Sequence, residues 1–373
     1  MVHIQAAVPP APIPEPEKID PAEVAGLWRR GEIDLVVVLG PTASGKTRFA
    51  VSLAKALASL PAAPPAAVTP RGAFQGVDAP RNVTAYGLAM QPGTAAGEGV
   101  TAASTPCKAA GAPSPAAGVA AEIVSADSRQ VYRGMTIGTG KDLGEYGDVP
   151  YHMIDIVPAG EKYTLYDYQR DFEKVYAELR GRGVLPILCG GTGLYIDAVV
   201  RAYSLPAVPP DEQLRRELEA ADIEELREAY AERTEPDPEV MVSKRRLVRA
   251  LEVLLQENVE KTSYKPKRAY FIGTVVSREE RNERIDRRLD ERLAGGMIDE
   301  VRGLVESGVS YDDLIYYGLE YRYIAQYLMG LIDYESMRGQ LATAIHQFAK
   351  RQMTYFRGME SHGTQIHWTR PEL

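Results

Sequence analysis

The period of the apolar positions changes several times along the chain, and those changes outline an α/β protein. Leu35-Val36-Val37-Val38-Leu39 is an unbroken run of large, mostly β-branched residues, the mark of a strand buried on both faces. It stops at Gly40, and the spacing then becomes helical, with Phe49, Leu53 and Leu57 recurring on one side. Ala121–Ala126, Met153–Val157 and Val184–Cys189 read as three further strands. Between the last two, Tyr168, Phe172, Val175, Tyr176 and Leu179 give 166–182 a helical period. Strand, helix and strand in this order predict a parallel sheet, whose ligands sit beyond the carboxyl ends of the strands. Past Pro209 the pattern predicts helices over about 211–220, 222–233, 239–258, 278–307, 319–330 and 334–357. A strand at Tyr270–Val276 interrupts them and is expected to return to the sheet.

These patterns divide the chain. Residues 1–32 form a Pro- and Ala-rich extension with a short amphipathic piece at Val24–Trp28. Residues 33–205 form the α/β core, interrupted by 61–118, where Pro, Ala, Gly, Thr and Ser dominate without periodicity. Such a segment cannot bury enough apolar surface to offset its ordering entropy and is expected to be disordered, apart from a short local strand at Asn82–Tyr86. Residues 206–262 read as a helical insertion, and 263–373 as the return strand with C-terminal helices.

Composition narrows the class. With 373 residues, 45% hydrophobic and 25% charged, the chain has the make-up of a globular protein with a sizeable core. No apolar run is long enough to span a bilayer, and the N-terminus lacks the basic-then-apolar order of a secretory signal. The two cysteines, Cys107 and Cys189, have no metal-ligand spacing. A cytoplasmic, reduced protein is expected, and nothing calls for an obligate oligomer, so a monomer is expected too. The net charge of −8 weighs against nucleic acid as a partner, but a local basic face matters more than the total. Between Lys244 and Arg302 basic residues outnumber acidic ones; on composition alone that stretch is a solvated helix face.

The chemistry starts where the first strand ends. Gly40-Pro41-Thr42-Ala43-Ser44-Gly45-Lys46-Thr47 has the spacing GxxxxGK[ST], the phosphate-binding loop or P-loop. Its N–H groups and the following helix N-terminus face an anion, Lys46 reaches outer phosphates, and the Thr47 hydroxyl can hold Mg²⁺. The fold class is therefore a P-loop parallel sheet flanked by helices. Asp127 and Thr192 fall at other strand ends, on the same side as this loop. A carboxylate placed there holds Mg²⁺ through water, binds a sugar hydroxyl, acts as a base, or simply caps the next helix.

The set of motifs resembles one family. Gly40 to Thr47, Asp127-Ser128 with Gln130 to Met135, Ile137 to Lys141, Pro150-Tyr151-His152 with Asp155, Gly190-Gly191-Thr192 with Leu194-Tyr195, Arg246 to Glu252, and Lys350-Arg351-Gln352 with Arg357-Gly358 occur in the order seen in the tRNA dimethylallyltransferases. The resemblance runs from Leu35 to Trp368, leaving out the 61–118 segment. It implies transfer of a dimethylallyl group from its diphosphate to N6 of adenosine 37, next to the tRNA anticodon. The P-loop would then hold the substrate diphosphate, with Thr42 on the leaving group, Mg²⁺ at Thr47 and Arg288 as the family's catalytic arginine. Asp127 would be the general base. Asp127, Ser128, Arg129, Gln130, Thr192, Lys244, Arg245, Arg246, Arg249, Lys350 and Arg351 would contact the tRNA, whose adenine is flipped into a channel through the protein. The resemblance thus reverses the solvated-face reading of the basic stretch.

The chain departs from the family's pattern at a few places. The stretch where the family has a Gly-Tyr-Arg/Lys turn reads Tyr317-Gly318-Leu319-Glu320-Tyr321-Arg322, the alanine before Lys141 is Gly140, an arginine before Gln347 is His346, and an Asn-Asp before Lys244 is missing. The alternatives are an adenylate isopentenyltransferase acting on AMP or ADP, a P-loop kinase or NTPase, and a non-catalytic RNA-binding relative. The helical insertion and basic C-terminal helix favour RNA over a mononucleotide.

Overall fold

A computed structural model describes residues 14–61, 118–208, 211–256 and 259–372. Six parallel strands form one sheet in the order β3-β2-β4-β1-β5-β6: β1 Leu35–Leu39, β2 Ala121–Ser125, β3 Tyr151–His152, β4 Leu185–Gly190, β5 Ala269–Thr274 and β6 Ile366–Thr369. β1 is central, paired with β4 through Val36–Ile187 and with β5 through Val36–Tyr270, and every one of its residues is buried. That explains its lack of polar alternation, since both faces are covered.

Thirteen helices are described. α1 (Pro21–Arg29) and α2 (Lys46–Ser59) cover one face, where Val36, Val38, Ile187 and Ile272 meet Val24, Phe49 and Leu53. α3 (Leu165–Gly181) and α4 (Gly193–Val200) cover the other, where Leu35, Val37, Leu39 and Leu188 meet Tyr168, Phe172 and Ile196. α3 starts at a capping box between Thr164 and Asp167, which fixes the first turn of the predicted helix. α5 (Glu212–Ala220), α6 (Ile223–Ala231), α7 (Pro238–Met241) and α8 (Lys244–Leu254) pack around a separate small core of Leu226, Tyr230, Val240, Leu247 and Leu251. α9 (Arg278–Ala294), α10 (Met297–Glu306), α11 (Tyr311–Tyr317), α12 (Leu319–Leu328) and α13 (Tyr334–Ser361) return to the larger core.

The predicted strand Met153–Val157 does not form. Met153 and Asp155 have φ of 64° and 55°, left-handed values that no extended strand tolerates, so β3 is confined to Tyr151–His152. The 278–307 helix is two, broken at Gly295–Gly296, and 239–258 divides where Ser243 caps α8 with its side chain on Arg246 N–H. The amphipathic piece at Val24–Trp28 is α1, and its Val24 and Ala25 are fully buried, so this part of the N-terminal extension is packed on the body. α4, α11 and β6 lie where no element was predicted. The expectations for Asn82–Tyr86 and for disorder over 61–118 fall almost wholly outside the described residues. Among the described residues no helix is long and apolar enough to cross a membrane.

Candidate active site

Beyond Leu39 the chain turns into the P-loop. Gly40 is required there by space: a Cβ would lie 2.4 Å from the Thr274 hydroxyl and 2.8 Å from the Thr274 carbonyl. Ser44 Oγ and Thr274 Oγ1 lie 2.7 Å apart, tying the loop to the end of β5. Ala43 and Gly45 have φ of 64° and 81°, so successive amides turn the same way, and Gly45 caps α2. The Thr42 N–H and hydroxyl both donate to Gln352 Oε1, at 2.8 and 3.1 Å, while Gln352 Nε2 donates to the Gly191 carbonyl at 2.9 Å. One buried amide on α13 thereby joins the P-loop to the glycine turn after β4.

Lys46 starts α2, half-buried, with no ion-pair or hydrogen-bond partner for its ammonium among the described residues. Burial pulls its pKa down, against the opposing fields of Cys189 and Asp127. The Thr47 hydroxyl is in hydrogen-bonding reach of the buried Cys189 thiol, whose own pKa burial pushes up to about 12.

Asp127 follows β2. Its Oδ1 accepts the Arg129 N–H at 2.9 Å, and the next N–H, of Ser128, donates to Thr192 Oγ1 at 3.1 Å. The ends of β2 and β4 are thus tied side by side, with Asp127 within electrostatic range of Lys46. Gln130 is bound inward, from Ser125 Oγ and to the Gly140 carbonyl, both at 3.3 Å, so it shapes the loop over 136–141. Arg129 points to Gly318 at the start of α12.

A cleft of about 560 Å³ opens beside Ala43 and Gly45. Its far wall is α9, which contributes Arg284, Arg287, Arg288 and Arg292. Three of them, spaced by four residues, share one helix face. Arg288 is bound to Asp142 Oδ2 at 2.5 Å, and Arg284 to Glu280 Oε1 at 2.5 Å. The loop between P-loop and α9 is anchored on both sides. Glu300 on α10 accepts the N–H groups of Thr136, Ile137 and Gly138 at 2.6–3.0 Å, together with the Tyr321 hydroxyl at 2.7 Å. Lys141, almost wholly buried, is paired with Asp155 at 2.5 Å.

The expected RNA-contacting residues divide into two kinds. Lys244 and Arg245 have side chains with no partner among the described residues, and Lys350 and Arg351 are exposed on α13, next to the inward-facing Gln352. Arg246 is bonded to the Glu239 carbonyl and carboxylate, and Arg249 to Glu252 Oε2 at 2.6 Å and the Val208 carbonyl at 2.9 Å. Their guanidiniums are engaged inside the protein.

Gln352, Thr274, Asp142, Arg292 and Glu300 were not singled out as site residues. Gln352 had a readable signal, because Met337, Leu341, Ile345, Ala349, Phe356 and Met359 make an apolar stripe on α13 and Gln352 is its polar member. The others are brought in by tertiary packing.

A P-loop on a parallel sheet, with a carboxylate at the end of another strand and a row of arginines across the cleft, defines a protein that handles a phosphorylated or diphosphorylated substrate. A model of the IPP transferase family matches residues 130–359. tRNA dimethylallyltransferase 1 of Porphyromonas gingivalis is 50% identical over 263 residues, 67% of this chain and 85% of that protein. The enzyme of the same name from Azobacteroides pseudotrichonymphae is 41% identical over 351 residues, 90% of this chain and 93% of its own length. The full-length tRNA isopentenylpyrophosphate transferase structure from Bacillus halodurans is 28% identical with a TM-score of 0.55, over 90% of this chain and 89% of that one. The chain belongs to the IPP transferase family.

Proposed function

We propose that the protein transfers a dimethylallyl group from dimethylallyl diphosphate to N6 of adenosine 37, beside the anticodon of tRNA. The observation that carries this reading is that Asp127, Thr192 and the P-loop converge at neighbouring strand ends, opposite the α9 arginines, in a chain whose relatives are tRNA dimethylallyltransferases. Within Gly40 to Thr47, the backbone amides of Ala43, Gly45, Lys46 and Thr47 would cradle the diphosphate, with Lys46 as the point charge and the Thr42 N–H held by Gln352. Thr42, held by Gln352, would present its side chain to the leaving group.

As the allylic C–O bond breaks, its electron pair goes to the diphosphate, and the new C–N bond forms from the N6 lone pair. The amine's surplus proton would go to Asp127 as general base. Pre-oriented amides, Lys46 and Arg288 stabilise the charge that grows on the leaving group. The oxygen donors here, the Thr47 hydroxyl and the substrate phosphates, suit a hard cation that keeps most of its waters, and Mg²⁺ at Thr47 would neutralise part of that charge. The adenine must leave the anticodon-loop stack to reach Asp127. Lys244, Arg245, Lys350 and Arg351, whose charges are free or exposed, would track RNA phosphates. The protein is read as a cytoplasmic monomer.

Incubation with dimethylallyl diphosphate, Mg²⁺ and either unmodified tRNA or AMP tests the assignment. Prenylated adenosine is expected in tRNA alone. Product on AMP but not tRNA would make it an adenylate isopentenyltransferase, and nucleotide hydrolysis without prenylation would make it an NTPase. Asp127→Ala is expected to lower transfer by about 10²–10⁴-fold with RNA binding retained; near-normal rates would remove Asp127 from the base role.

A further inference from the structure

Of the four arginines on the cleft wall, three lie beside carboxylates: Arg284 at Glu280, Arg287 at Glu291 (3.7 Å) and Arg288 at Asp142. Arg292 has no hydrogen-bond or ion-pair partner among the described residues. It is nonetheless half-buried, one turn further along the face that carries Arg288. Its guanidinium lies over Gly140: a Cβ there would come within 1.8 Å of Nη2 and 2.7 Å of Cζ. Gly140 also has φ of 63°, a conformation that side chains disfavour. The loop that carries Gly140 is anchored by Glu300 and by the Lys141–Asp155 pair, so the place Arg292 occupies is preformed. Ala43 and Gly45 line the same cleft from the P-loop side.

An unpartnered guanidinium held away from water is costly, and burial pulls the Arg292 pKa down in agreement with that cost. A protein tolerates such a group where a ligand completes it. Guanidinium presents a planar fork of donors that matches phosphate oxygens, which the neighbouring Arg288 offers only in part while it holds Asp142.

We propose that Arg292 is a second guanidinium contact of the substrate diphosphate, closing the cradle from the α9 side, and that Gly140 is the residue that admits it. This rests on the reading of the cleft as a diphosphate site. Arg292 supplies anion recognition in addition to the P-loop amides, and the Gly140 position sets whether it can reach.

Titration calorimetry of the full chain with inorganic diphosphate and with dimethylallyl diphosphate, in the presence of Mg²⁺, tests this. Arg292→Met is expected to weaken both by about tenfold or more, with kcat/KM falling in parallel and tRNA affinity unchanged. Its melting temperature is expected to hold or rise, because an unpaired, half-buried charge is removed; a merely structural arginine would move it down. Gly140→Ala displaces the guanidinium and is expected to weaken diphosphate binding as well, and the double variant to bind no more weakly than Arg292→Met alone. Arg302→Met, on the exposed face of α10, serves as the charge-matched control and is expected to bind as wild type. Binding by Arg292→Met within about twofold of wild type, or strict additivity in the double variant, overturns the proposal while leaving the diphosphate reading intact. A wild-type chain that neither binds diphosphate nor prenylates tRNA removes the reading, and the inference with it.

Discussion

Arginine is used in opposite ways in the helical insertion and in the cleft. In the insertion Glu252 is completely buried, and Arg215 and Arg249 both bind its Oε2 at 2.6 Å while the Asp211 N–H donates to Oε1 at 2.8 Å. Every donor of that cluster meets an acceptor inside the protein. In the cleft Arg292, and next to its P-loop side Lys46, sit half-buried with no partner among the described residues, although Glu145, Glu291 and Asp142 line the cleft. A closed ionic cluster holds helices together, whereas cations left without acceptors are poised for an anion from outside. Counting basic residues cannot separate these cases; pairing does. By that criterion Arg249 belongs to the insertion's framework, and Lys244 and Arg245 are the basic side chains of α8 that no partner among the described residues engages.

The largest effect should come from opening the closed cluster. Glu252→Gln leaves Arg215 and Arg249 buried beside a neutral amide, at a cost of about 3–5 kcal/mol. Because the α5–α8 core is separate from the two cores of the sheet, the loss is expected to stay local. Hydrogen exchange should rise over α5–α8 while β1, β4 and β5 keep their protection. Uniform destabilisation of the sheet would show that the insertion's ionic cluster supports the whole body.

This division explains what could be read beforehand. β1, the P-loop and α2 follow one another within 25 residues, so their apolar period and glycine spacing state the local geometry directly. Asp127 and Thr192 were legible because strand ends of a parallel sheet share one side. The short β3 was misjudged because Met153 and Asp155, apolar run or not, adopt left-handed backbone to bring Asp155 onto Lys141. No local pattern announces that demand. Likewise, Arg284 to Arg292 reads as one basic cluster, and only the fold determines which members meet Glu280, Glu291 or Asp142 and which meets none.

Gln352 tests the cleft from the neutral side. Gln352→Leu preserves much of the volume in the α13 stripe but removes the oxygen that accepts from the Thr42 N–H and hydroxyl, and the amide that donates to the Gly191 carbonyl. A loss of about 1–3 kcal/mol in transition-state stabilisation is expected, read as kcat/KM for dimethylallyl diphosphate in the tRNA assay. An unchanged rate would mean that Thr42 needs no such anchor. A smaller, RNA-specific effect is expected from Lys244→Ala with Arg245→Ala: the slope of log affinity against log salt for tRNA should become shallower by roughly 1 per residue, with diphosphate binding untouched. If the slope is unchanged, those two charges do not meet phosphates.

The finest distinction is in protons. Burial lowers the Lys46 pKa from its usual 10.5, so in the free protein the ammonium loses its proton at lower pH than in the unfolded chain. A bound diphosphate favours the charged form and raises that pKa again. Between the two values binding must therefore take up a proton, and affinity must fall as pH rises through the lowered, ligand-free pKa. Calorimetry of dimethylallyl diphosphate in two buffers of different ionisation enthalpy, in a pH series running down from the usual lysine value of 10.5, should report net proton uptake that Lys46→Met abolishes. Uptake of equal size in that variant would assign the proton to another group and leave Lys46 charged throughout.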